Sequence, residues 1–131
     1  MNSRHGACSC GQLEVAIEGD PVVVYVCHCL SCQRRTGSAF GCGARFREEQ
    51  VRITGETRVF ERDSDDGVTR RFHFCPVCGS TVFAKTPSVP GFVTIFVGAL
   101  ADPTFPPPTE SLHESRRHQW VRVAGSDSGS A

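Results

Sequence analysis

Seven of the eight cysteines in this 131-residue chain fall in three tight clusters, and that spacing constrains the fold more than any other feature. The clusters are Cys8 and Cys10 in CSC, Cys27, Cys29 and Cys32 in CHCLSC, and Cys75 and Cys78 in CPVC. Thiolates two or three residues apart can converge on one ion, and tetrahedral zinc with sulfur ligands is the commonest reason for such spacing. Two pairs make one four-thiolate site, and the remaining triplet stands one ligand short. A structural zinc takes four protein ligands, whereas a catalytic zinc takes three and keeps a position open. The count therefore points to two zinc ions per chain, of unequal kind. Disulfides are the competing explanation for an even number of cysteines. Against them, MNSRHGACSC contains no apolar signal-peptide core. Cysteines one residue apart are also poorly placed to bond to each other, and the chain is long enough for a core without covalent staples. CxC with CxxC suits single-ion tetrathiolate coordination better than an iron–sulfur cluster.

The length is that of one domain. Lys plus Arg and Asp plus Glu both number 14, so the net charge is zero. A nucleic-acid binder usually carries a basic surplus, so none is expected as a partner. No apolar run approaches a membrane span. Free thiols that hold metal need a reducing compartment, and the expected location is cytoplasmic. The sequence sets no oligomeric state; a homodimer is compatible with it.

Strand signals dominate. Leu13, Val15 and Ile17 alternate with Gln12, Glu14 and Glu18, the period-two pattern of a half-buried strand. Further strands are expected over residues 22–26, 39–46, 51–54, 58–61, 68–74, 81–84 and 92–97. The last is apolar on both faces, which places it centrally in a sheet. Turn signals separate these runs, among them Gly19-Asp20-Pro21, Gly55 and Asp102-Pro103. The only helix expected is a single turn after Cys29. Phe105-Pro106-Pro107-Pro108 reads as an extended connector. The domain is expected over residues 1–124, with a disordered small-residue tail over 125–131. Pro76 and Gly79 in CPVCG, and Gly11 after Cys10, favour tight turns that aim sulfurs inward. The middle residue of an extended CxC points away from the metal, so His28 is expected against a neighbouring wall rather than as a ligand.

In order, CSCG, CHCLSCQRRTGSAF, FCPVCGS, VGALADP and ESRRHQW resemble the glutathione-dependent formaldehyde-activating enzyme family, which shares its domain with centromere protein V. The resemblance runs from about Gly6 to about Val123. It implies an all-β, zinc-pinned domain, the β-tent fold, with minimal helix. It implies a structural zinc on Cys8, Cys10, Cys75 and Cys78, and a catalytic zinc on Cys27, Cys29 and Cys32. It also implies carbon–sulfur lyase chemistry, the reversible joining of glutathione to formaldehyde. One departure stands out. The family usually has Gly-Thr-Leu-Asp-Asp-Pro where this chain has Gly98-Ala99-Leu100-Ala101-Asp102-Pro103. Cys42 lies outside the family's ligand motifs.

At an open three-thiolate zinc, a bound thiol would lose its proton readily and add to an aldehyde carbonyl, giving a hemithioacetal. The two carboxylates of glutathione need cationic partners. Arg34 and Arg35 lie nearest in sequence, and Arg116, Arg117 and Trp120 are further candidates; of these, Arg34, Arg35 and Trp120 are taken as substrate-binding. Thr36, Gly37, Ser38 and Phe40 are expected as wall. Two other readings compete with the enzyme. In one, both zincs are structural and Cys42, His73, His113 or His118 closes the second site. In the other, the chain is a zinc-ribbon-like nucleic-acid adaptor, which zero net charge disfavours. The fourth ligand at Cys27, Cys29 and Cys32 separates the first two.

Overall fold

The computed structural model describes residues 2–64 and 66–124. The tail expected over 125–131 lies outside them. The described residues are mostly β-sheet with one short α-helix. The strands are β1 (Ser3–Ala7), β2 (Glu14–Glu18), β3 (Val23–Cys27), β4 (Gly41–Arg47), β5 (Val51–Thr54), β6 (Arg58–Asp63), β7 (Thr69–Phe74), β8 (Thr81–Lys85), β9 (Phe92–Phe96) and β10 (Glu110–Leu112). The helix α1 spans Leu30–Thr36, and short 3-10 turns lie at Glu48–Gln50, Val97–Leu100 and Glu114–Arg116.

The strands form two sheets. The smaller has the order β1-β2-β5, and the larger β10-β3-β4-β9-β8-β7-β6. Neighbours are antiparallel except β10, which runs parallel to β3. Alternation explains how the sheets meet. Val15 and Ile17 of β2 are buried while Glu14, Ala16 and Glu18 face water. With Leu13 they pack on Val24, Ala44, Phe46, Val82, Phe83, Val93 and Ile95 of the larger sheet. Each such side chain contributes about 1.5–3 kcal/mol by leaving water. A second, smaller cluster of Phe72, Ala84 and Phe96 occupies the other face of the large sheet. As expected, β9 is central: Val93 and Ile95 enter the main core and Phe96 the second cluster.

α1 is a two-turn helix rather than the single turn expected. Cys29 caps its start, its sulfur accepting from the Cys32 N–H, and Gly37 ends it in the left-handed region at φ 66°. β1 and β10 went unforeseen. β1 buries only Gly6, where a Cβ would lie 2.9 Å from the Ala99 carbonyl and from Leu100 Cδ2. Its strand character comes from pairing with β2, which carries the apolar signal for both. β10 has three residues and pairs on one side only. No helix among the described residues is long and apolar enough to cross a membrane.

Candidate metal centres and their surroundings

Two loops bring four cysteines together. The loop after β1 is closed by Cys8 N–H donating to Leu13 O (2.9 Å) and Gly11 N–H to Cys8 O (3.1 Å). The turn between β7 and β8 is closed by Gly79 N–H to Cys75 O (2.8 Å) and Cys75 N–H to Ser80 O (2.9 Å). A register shift between His73 and Phe74 interrupts the β7–β8 ladder just before Cys75. Ser9 and Ser80 hold the loops to each other, hydroxyl to hydroxyl at 2.9 Å and Ser9 N–H to Ser80 Oγ at 3.1 Å.

The sulfurs of Cys8, Cys10, Cys75 and Cys78 all lie within 4.8 Å of one another. Cys8 to Cys10 is 3.6 Å and Cys10 to Cys75 is 3.7 Å. A tetrahedron with Zn–S bonds of about 2.3 Å has edges of about 3.8 Å, so the donor set fits one zinc-sized ion. N–H groups point at the sulfurs: Leu13 N to Cys8 (3.4 Å), Val77 N to Cys75 (3.3 Å) and the Gln12 amide to Cys75 (3.0 Å). Such donors stabilise thiolates. The Ser80 hydroxyl and then its backbone bring the Cys78 thiol down to about 5. Sequence reasoning missed Gln12 and Ser80 because polar loop residues carry no periodic signal.

The second group is Cys27 at the end of β3, with Cys29 and Cys32 at the start of α1, their sulfurs also within 4.8 Å of one another. No further Cys, His, Asp or Glu among the described residues brings a ligand atom into this group. None of the four residues that might have closed it joins it. Cys42 packs against the main core. His73 meets the Thr57 hydroxyl at 3.2 Å and stacks on Phe83. His113 starts a 3-10 turn at φ 57°, and His118 meets Gln33 Oε1 at 2.9 Å. The Cys27 thiol, and against it the cost of burial, brings Cys32 down to about 5, with Cys29 and the Arg35 guanidinium adding to the shift. Cys27 is pushed up, first by Cys32 and then by burial.

Sequence reasoning also missed Tyr25, two residues before Cys27 on the same sheet face. Burial, followed by the nearby charge of Cys32, raises its phenol to about 12 and keeps it protonated. Gly43, opposite it, has no room for a side chain: a Cβ would lie 2.6 Å from Tyr25 Oη.

The candidate substrate-binding residues are divided between two cavities. Arg34 and Trp120 line one of about 570 Å³, together with Leu30, Gln33, Ser38 and His118. Arg35 points the other way, into a cavity of about 640 Å³ with Cys8, Thr36, Phe40, Cys42, Ser80 and Phe96. The departed loop contributes Gly98, Ala99 and Ala101 to that second wall. Arg117 is tied into the structure, donating to Val121 O at 2.7 Å and to Glu114 at 3.2 Å.

His28 is fully buried and faces a wall, as its place in CHC implied. Its Nε2 lies 3.0 Å from Ser111 Oγ, and Ser111 donates its single hydroxyl proton to Glu114 Oε2. His28 Nε2 therefore carries the proton of the first bond. The wall is the C-terminal segment. His28 N–H donates to Leu112 O (3.0 Å), and Gln33 Nε2 donates to His28 O (2.8 Å) and Arg116 O (3.1 Å).

The family model of the glutathione-dependent formaldehyde-activating enzyme matches residues 3–122. The chain belongs to that family. No curated protein matches it. Among solved structures, a Rhodobacter sphaeroides protein superposes with a TM-score of 0.58 at 23% identity, over 76% of this chain and 91% of that one. That likeness concerns the fold. Membership of the family gives the three-cysteine group its context: a family named for glutathione-dependent activation of formaldehyde.

Proposed function

We propose that the chain is a carbon–sulfur lyase-type enzyme that reversibly adds a thiol such as glutathione to formaldehyde or a related small aldehyde. The observation that carries this reading is the three-cysteine group with no fourth protein ligand among the described residues. The family match supports the substrate pair. Cys27, Cys29 and Cys32 would hold a catalytic zinc, and Cys8, Cys10, Cys75 and Cys78 a structural one. Bound at the first group, zinc supplies a Lewis acid that favours the thiolate form of an incoming thiol.

The overall reaction forms a bond from the thiol sulfur to the carbonyl carbon, and the thiol proton ends on the carbonyl oxygen. The chain's residues prepare this in three ways. Arg35 sets a fixed cation beside Cys32, which offsets the negative charge of clustered thiolates and attracts a substrate carboxylate. Tyr25, neutral at working pH, adds no charge beside Cys32. Arg34 and Trp120, on the outer side of α1, form a rim where a second part of the substrate can rest.

The test is the rate of hemithioacetal formation from glutathione and formaldehyde, compared with the uncatalysed rate and with Cys29→Ser. Acceleration that Cys29→Ser abolishes supports the reading. Equal rates with and without wild-type protein reject this substrate pair.

A further inference from the structure

The face of the large sheet turned away from the main core carries a charge pattern that the chemistry above does not use. β6 and β7 pair in the register Arg58↔Phe74, Phe60↔Phe72 and Arg62↔Arg70. Alternation puts these six side chains on one face. Val59, Glu61 and Asp63 point the other way, where Glu61 pairs with Arg71 at 2.7 Å. Every acid of β6 is thus on the far face. Arg62 and Arg70 stand directly opposite each other, a like-charge pair that is unfavourable by itself. Arg70 is relieved by the neighbouring turn, donating to Ser64 Oγ at 2.5 Å. Arg62 has no carboxylate or hydrogen-bond partner among the described residues. It lies over the Phe72 ring, 5.4 Å from the centroid.

From there an unbroken row leads to the three-cysteine group. Phe72 stacks on Phe96 at 6.3 Å and 15°. Arg35 covers both rings, 5.4 Å from the first centroid and 4.0 Å from the second. Its Nε is buried without an acceptor among the described residues. Its Nη2 lies where a side chain at Gly41 would also meet Cys32. Two half-buried guanidinium groups therefore cover a buried aromatic pair, and neither meets a carboxylate among the described residues. Each guanidinium carbon is 5.4 Å from the Phe72 centroid, so the two are at most twice that distance apart. An extended tripeptide spans about 10 Å.

We propose that Arg35, Phe96, Phe72 and Arg62 form the platform for a peptide thiol bearing two carboxylates, with Arg62 as the specificity-determining residue that reads the carboxylate remote from the sulfur. The inference rests on the proposed function and adds the recognition element to it. Arginine suits the task because its planar fork binds a carboxylate through two donors while its face rests on an aromatic ring. The buried rings hold the two guanidinium planes in place, so the peptide is read by the cations rather than by the rings.

The test uses S-methylglutathione, which keeps both carboxylates but has no thiol to react, titrated calorimetrically into wild-type protein, Arg62→Gln and Arg71→Gln. Arg71→Gln removes the same charge from the opposite face of the same strand pair. The expected result is binding by wild type, a loss of about tenfold or more in Arg62→Gln, and little change in Arg71→Gln. Of the two monoethyl esters of the ligand, one should bind wild type more weakly and lose nothing further in Arg62→Gln. No binding by wild type, unchanged affinity in Arg62→Gln, or equal losses in the two variants would overturn the platform. A melt of Arg62→Gln shows whether the variant is folded; should it unfold, Arg62→Lys serves, since it keeps the charge and loses the stacked fork. Arg62-dependent binding without formaldehyde addition would leave the platform standing and the reaction rejected. Addition with Arg62-independent binding would do the reverse.

Discussion

Gly41 shows how closely the three-cysteine group is fitted to its sheet. A Cβ there would lie 2.8 Å from Arg35 Nη2 and 3.3 Å from Cys32 Cβ. The guanidinium can move aside more easily than the helix backbone. Gly41→Ala is therefore expected to fold, with a loss of about 1–3 kcal/mol from overpacking, and to weaken thiol affinity because Arg35 is displaced. A folded variant with wild-type thiol affinity would separate Arg35 from binding. Ala101 makes the opposite point. It sits at φ 48°, in the left-handed region, where the family resemblance places an aspartate. Aspartate tolerates that region better than alanine does. Ala101→Gly should raise stability by about 0.5–1 kcal/mol, read from denaturant melts. Ala101 was legible only as part of the departure over residues 98–103, and Gly41 was not legible as special at all. Gly41 is one of 13 glycines, and its meaning comes from a helix end brought over it by folding. The cysteines were legible because their chemistry needs nothing beyond local spacing.

At the scale of elements, α1 and the C-terminal segment act together. α1 buries none of its own residues, so packing alone does not hold it. Gln33 tethers it to Arg116 O, and His28 at its base meets Ser111 of β10. The Ser111 hydroxyl holds the Glu114 carboxyl below its usual range, against the cost of burial, with His28 and Arg117 assisting. Burial lowers His28. Both shifts act in the same direction. A depressed carboxylate contributes stability above the unfolded pKa of about 4.3 that is lost as pH falls through its folded value. A depressed histidine resists protonation, so stability also falls as the unfolded chain takes up protons below about pH 6.5. Glu114→Gln should lower stability at neutral pH and flatten the part of the stability profile below about pH 4.3, measured by melts from about pH 5 to about pH 2. The strands with a strong apolar period were readable in advance, as β2 and β9 show. β10 was not, because three residues paired on one edge carry no pattern, and the β3 partners that define it are 85 residues away in the chain.

Across the whole molecule, the two cysteine groups differ in what they join. Cys8 and Cys10 precede nearly all the strands, while Cys75 and Cys78 follow seven of the ten among the described residues. A shared zinc closes a loop of much of the chain, so its binding free energy is largely folding free energy, on the order of 10 kcal/mol for structural zinc. Cys8→Ser should give unfolded or aggregated protein. Cys27, Cys29 and Cys32 span the junction of β3 and α1 only, so Cys29→Ser should stay folded with one zinc and little change in melting temperature. Equal collapse of the two would indicate two structural centres. The four-plus-three arrangement was legible from spacing, and the fold brings those sets together. The partition of Arg34 and Arg35 into different cavities was not legible, because adjacent helical residues diverge by about 100° only once the helix has formed. The central claim is that the three-cysteine group binds a metal and leaves a position for an incoming thiol. Its most direct test is cobalt substitution followed by titration with glutathione, reading the sulfur-to-cobalt absorption. The account predicts a saturable gain equivalent to one further sulfur at one of two cobalt ions, absent in Cys29→Ser. A spectrum unchanged at saturating thiol would contradict it.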